Sequence, residues 1–89
     1  MDFEWDEVKR QKNILNHGFD FVDAVELFLG DTLDGPAKTV RGEARRIATG
    51  LVGPDYATVI YTLRGTRIRI ISMRCARDGE REQHQAVFG

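Results

Sequence analysis

Three consecutive runs, RRIATGLV, YATVIYTL and TRIRIISMR, occupy residues 45–52, 56–63 and 66–74, and only GPD and RG separate them. Apolar residues recur in them with period two, the spacing of strands that bury one face. Linkers this short and this rich in Gly and Pro are hairpin turns. The second half of the chain must therefore be an antiparallel meander, and everything before it has to supply the cover.

Upstream the period lengthens. FEW, residues 3–5, reads as a short strand or lead-in. Asp6 is a suitable N-cap, and with Glu7 it puts negative charge at the positive end of a following helix. That helix should run to about His17, because Gly18 is a natural residue to end it. A second short helix is expected in FVDAVELFL, where Phe21, Ala24, Val25 and Phe28 fall at helical spacing and Gly30 stops it. Residues 31–44 carry two Gly and one Pro and read as a short extended piece plus a loop. The tail DGEREQHQAVF reads as a terminal helix. The order β-α-α-β-β-β-β-α is an α+β fold: an antiparallel meander with two N-terminal helices and a C-terminal helix, helices on one face. Eighty-nine residues make one domain, 1–89, with one core and little surplus for a deep enclosed site.

Closing the second hairpin on a two-residue RG loop sets Leu63 opposite Thr66 and pairs 61 with 68 and 59 with 70; Leu51 opposite Tyr56 adds the first strand. One face then holds Ala48, Ala57, Val59, Tyr61, Leu63, Ile68 and Ile70, a core face. The other holds Arg45, Thr49, Thr58, Thr62, Arg67 and Arg69 around Ile47, Ile60, Ile71 and Met73. An arginine rim around an apolar centre suits a nucleic acid strand or a partner protein. The alternative is an ordinary two-sided sheet with the terminal helix lying on the patch.

The net charge of −1 hides a split. Residues 1–35 carry nine acids and three bases, residues 36–77 nine bases and two acids. The basic block is an electrostatic footprint for a polyanion, unless the two halves simply neutralise each other across the fold. Cys75 is the lone cysteine, so no internal disulfide forms. No apolar stretch approaches membrane-spanning length and no signal-peptide pattern opens the chain, so a soluble cytoplasmic protein without membrane contact is expected. His17, His84 and Cys75 lack any usual zinc spacing, and neither metal nor cofactor is expected.

Lys9, Asn13 and His17 lie at i, i+4 and i+8 and form one polar stripe. At the C-terminal turn the helix field favours a protonated His17, a candidate proton donor; the alternative is that it caps the last carbonyls and packs on Phe19 or Phe21. Arg74 ends the last strand, and Arg77 and Arg81 follow around a helix start. Guanidinium groups stay charged, so they stabilise developing phosphorane charge. Glu80 is the nearest carboxylate to serve as base, or else a first-turn acid answering the helix dipole. Arg64 falls at the opposite end of the strand pair from Arg74, so it is assigned to binding.

FEWDEVKRQKNILNHGFDFVDA, RIATGLV and VIYTLRGTRIRIISMRCA followed by ER together resemble the BrnT family of bacterial type II toxins. The resemblance rests on W-D-x-x-K-x-x-x-N-x-x-x-H-G and R-I-I-S-x-R and implies a RelE-like fold and ribonuclease activity. It puts Lys9, Asn13, His17, Gly18, Arg45, Arg64, Ser72, Arg74, Glu80 and Arg81 at motif positions. It also implies a BrnA-type antitoxin in a complex of two toxins and two antitoxins, with operator DNA contacted only through the antitoxin. The chain departs from the family pattern at Cys75, where Lys or Arg is usual, and at Arg77, where Ser or Thr is usual. A tyrosine is common near the position of His84. The combined expectation is a metal-independent endoribonuclease with His17, Arg74, Glu80 and Arg81 in the chemistry. Lys9, Asn13, Arg45, Arg64, Arg67, Arg69 and Arg77 would bind RNA, whose 2′-hydroxyl attacks in line. The competing expectation is a non-catalytic module that holds RNA or protein on the arginine face.

Overall fold

A computed structural model describes residues 1–89. The elements are β1 (Asp2–Glu4), α1 (Glu7–His17), a 3-10 turn (Phe21–Asp23) running into α2 (Ala24–Leu29), β2 (Leu33–Pro36), β3 (Arg46–Val52), β4 (Asp55–Arg64), β5 (Arg67–Cys75) and α3 (Asp78–Phe88). The five strands form one sheet in the order β1-β5-β4-β3-β2.

The α+β class and the element order match expectation, but the sheet is mixed rather than purely antiparallel. β1 adds itself parallel to β5, with Asp2, Phe3 and Glu4 opposite Arg67, Ile68 and Arg69. Two side chains account for this. Phe3 packs on Phe28 with ring centroids 5.7 Å apart, and Glu4 accepts a 2.9 Å hydrogen bond from Arg69. The strand then leads into α1, which packs back on the sheet.

The helices also do not share a face. Leu27 of α2 lies over Gly50, where an added Cβ would come within 3.0 Å of its Cγ. α3 lies on the opposite side, its Glu80 bonded to Thr58. The core sits under the 3-10 turn and α2 and comprises Phe21, Ala24, Leu27, Ala48, Ala57, Val59, Tyr61, Ile68, Ile70 and Met73, while α1 lies along the edge of β5 and buries only Asn13.

Both ends of α1 form as its sequence dictates. The Asp6 carboxylate accepts from the Lys9 N–H at 3.1 Å, and Gly18, at φ 74°, donates its N–H to the Ile14 carbonyl. The first hairpin has the expected register, Leu51 opposite Tyr56. The second closes on Gly65–Thr66 instead of Arg64–Gly65, with Arg64 opposite Arg67. Gly65 has φ 61°, and a type II′ turn wants its glycine in the first of the two loop positions. The slip is by two residues, so every side chain keeps its face.

A second irregularity does change faces. Tyr61 pairs with Ile70 but Ile60 pairs with Ser72, so Ile71 is the extra residue of a β-bulge. Beyond it Met73 turns into the core opposite Val59, correcting its expected place in the outer apolar patch. Ser72 and Arg74 turn the other way, opposite Ile60 and Thr58.

Candidate functional site

The bulge gives the face away from α2 its character. Strand alternation places Arg45, Arg64, Arg67, Arg69 and Arg74 there, together with Thr49, Thr58, Thr62, Ile47, Ile60 and Ser72. Arg46 goes to the other side, where it bonds Asp34 and the Tyr61 hydroxyl. α3 crosses one end of the arginine face and leaves the rest open.

Arg74 stands where sheet and helix meet. It is held bidentate by Glu80, Nη1 to Oε1 at 2.8 Å and Nη2 to Oε2 at 3.0 Å, with both side chains 19% exposed. Nη1 also donates to the Cys75 carbonyl at 3.2 Å. A guanidinium has five N–H donors, so donors remain for an oxyanion. Glu80 Oε1 further accepts from the Arg77 N–H at 2.8 Å and the Thr58 hydroxyl at 3.0 Å. Since Thr58 donates to Glu80, the 2.9 Å contact with Thr49 must run from the Thr49 hydroxyl to Thr58. The Arg74 bonds, with those from Arg77 and Thr58, hold the Glu80 carboxyl at about 2. Thr49 and Thr58 were legible as residues of this face, but nothing in the sequence joined them to Glu80, because that contact spans 22 residues. Beside the network Ile47, Thr49, Glu80 and Gln83 line an open cavity of about 340 Å³.

α3 is pinned again one turn on. His84 is buried, its Nε2–H donates to the Asp31 carbonyl at 2.8 Å, and its ring lies between those of Tyr56 and Phe88. This histidine anchors the helix.

Among the other expected site residues, Asn13 requires a correction. It is 6% exposed and faces no solvent. Its amide N–H groups donate to the Phe19 and Met73 carbonyls at 2.9 and 2.8 Å, and its oxygen accepts from the Met73 N–H at 3.1 Å. It thus pairs the edge of β5 where β1 has ended. With Glu4 beside Arg69 and Asn13 beside Met73, α1 runs in the direction of β5. His17, one turn or ~6 Å further, is exposed at the end of the strand that carries Arg74. It shares no hydrogen bond or ion pair with Arg74, Glu80 or Arg81. Lys9 and Arg77 are exposed, and Arg81 pairs with Asp78 at 2.9 Å. Arg64 pairs with Glu43 at 3.4 Å and Arg69 with Glu4 at 2.9 Å. Arg67 is exposed and Arg45 half-buried, both without a carboxylate partner. No three His, Cys, Asp or Glu side chains are grouped to hold a metal ion, and no helix is long and apolar enough to cross a membrane.

The chain is a small α+β protein with an arginine-lined sheet face, and comparison with protein families gives it a class. A family model described as the ribonuclease toxin, BrnT, of type II toxin-antitoxin systems matches residues 5–80. The chain belongs to the BrnT family. Membership implies a type II toxin of ribonuclease type with an antitoxin partner. No curated protein matches the chain significantly.

Proposed function

We propose that the chain is an endoribonuclease that arrests growth in the cytoplasm by cleaving RNA, in the manner of RelE-type toxins and without a metal ion. The observation that carries this reading is Arg74, aimed onto the open arginine face by the bulge and fixed there by Glu80 with N–H donors to spare. A guanidinium held rigid before the substrate arrives stabilises the charge of an in-line phosphorane without reorganising. The 2′-hydroxyl of the substrate attacks in line, its proton passing to water, and leaves a cyclic phosphate as the P–O5′ bond breaks, which makes RNA the substrate. Arg81 adds positive charge near the helix start, and His17, at the same end of β5, gives the proton to the leaving oxygen. Glu80 enters as the anchor of Arg74, since a carboxylate held at about 2 has little affinity for the proton of a hydroxyl. Arg45, Arg64, Arg67 and Arg69 line the face on which the strand would lie, with Lys9 and Arg77 at its margins. A BrnA-type antitoxin neutralises the toxin in a 2:2 complex by covering this face, and operator DNA is contacted through the antitoxin alone.

The test is induction of wild type and Arg74→Ala side by side, following growth and total RNA. The expected outcome is arrest with RNA loss for wild type and neither for the variant. Arrest that survives Arg74→Ala would favour sequestration of RNA or protein on the arginine face. Cleavage of an all-deoxy strand as readily as RNA would exclude the 2′-hydroxyl mechanism.

A further inference from the structure

The chain has ten arginines, and six of them, Arg10, Arg46, Arg64, Arg69, Arg74 and Arg81, hold a carboxylate. Three others, Arg41, Arg67 and Arg77, are exposed to water. Arg45 alone is half-buried and unpartnered, and its Nε–H is buried without any hydrogen bond. A partly desolvated cation with no partner is costly, and a native chain that keeps one gives it something to bind.

The surroundings say what that is. Arg45 lines a cavity of about 440 Å³ with Thr39, Glu43, Ala44, Arg46, Thr62 and Leu63 among its walls. The carboxylate there, Glu43, faces Arg64, and the Arg46 guanidinium is committed to Asp34 and Tyr61. The Thr62 hydroxyl donates to the Ala44 carbonyl and so fixes the backbone just before Arg45. The free charge in the cavity is therefore that of Arg45.

We infer that Arg45 is the centre of a second phosphate subsite, separate from the one at Arg74, so that the toxin grips its RNA at two phosphates. Arg46 pairs with Tyr61 and Arg74 with Thr58, so Arg45 lies four residues along β4 from Arg74 and two strands across. At ~3.3 Å per residue and ~4.8 Å per strand, their backbones stand roughly 16 Å apart on one face. A single phosphate cannot touch both. The inference rests on the RNA-cleaving reading for its ligand, while its test needs no cleavage.

The experiment measures binding of a long 2′-O-methyl oligoribonucleotide, and of a dinucleoside monophosphate, over a salt series with the full chain and its Arg45→Met and Arg45→Lys variants. For Arg45→Met the long strand is expected to bind about tenfold more weakly, and the slope of log affinity against log salt to fall in size by about 0.7, the loss of one phosphate contact on a single strand. The dinucleoside monophosphate is expected to bind all three proteins alike, and Arg45→Lys to keep the wild-type salt slope. Thermal stability of Arg45→Met is expected to equal or exceed that of wild type, because an unpaired charge has been removed. Equal affinity and slope for wild type and Arg45→Met on the long strand would overturn the subsite. So would a lower melting temperature that Arg45→Lys restores without restoring the slope, since Arg45 would then be structural. Wild type that binds as expected yet cuts no RNA would sink the nuclease and leave the subsite standing.

Discussion

Glu80 accepts four hydrogen bonds, two of them from one guanidinium, and its pH behaviour follows. Its carboxyl sits at about 2 in the fold against an ordinary 4.5. A carboxylate whose folded value is depressed contributes stability that is full above the unfolded value and lost as pH falls through the folded one. Here the window runs from 4.5 down to 2, and the gap corresponds to at most roughly 3 kcal/mol. Glu80→Gln should cost about 2 kcal/mol at neutral pH, with the difference from wild type closing across that window in urea melts. A difference that ignores pH would mean Arg74 does not hold the ionised form. Asn13 makes a second prediction at this scale. Asn13→Ala strands the N–H and C=O of Met73 at a buried strand edge, and should cost about 2–4 kcal/mol in chemical denaturation. Loss of toxicity in that variant would report a broken fold. Asn13 was legible as part of a polar stripe with Lys9 and His17, but spacing cannot tell a stripe that meets solvent from one that meets a strand edge 60 residues away.

Helix limits were the most legible elements, because caps are local: Asp6 and Gly18 lie within a turn of what they cap. The hairpins were legible in kind and in face, and the register of the second was misplaced because two placements of Gly65 fit an RG-T linker until its positive φ chooses. The bulge at Ile71 was not legible. Strict alternation is the only rule a strand pattern offers, and it puts Met73 outside and gives Arg74 no reason to join Thr58. What decides is that Met73, unlike Arg74, gains by burial opposite Val59. The contact of α2 with β3 allows a test at this scale. A methyl at Gly50 would sit 3.0 Å from Leu27 Cγ and 3.2 Å from the Asp31 carbonyl oxygen. Gly50→Ala should therefore cost about 1–3 kcal/mol, a fall in Tm of roughly 4–8 °C for each kcal/mol in a domain this small.

At the scale of the molecule, the acidic and basic halves anticipated by composition do meet, in Arg46 with Asp34 and Arg69 with Glu4. Arg41, Arg45, Arg67 and Arg77 of the basic block are nonetheless left without a carboxylate, so neutralisation across the fold is incomplete. β4 is paired on both sides along its length and β1 on one side over three residues. Hydrogen exchange should accordingly be slowest for β4 and fastest for β1 and the last turn of α3, and protection of β1 equal to that of β4 would contradict this order. The parallel closure of β1 on β5 has a consequence for synthesis. Glu4 waits 65 residues for Arg69, Asn13 waits 60 for the backbone of Met73, and Arg74 is fixed only once Glu80 has been added. A nascent chain emerging from the ribosome cannot complete its sheet early, nor assemble Arg74 ahead of its anchor. An anchored Arg74 can therefore exist only on a chain that has been translated through residue 80.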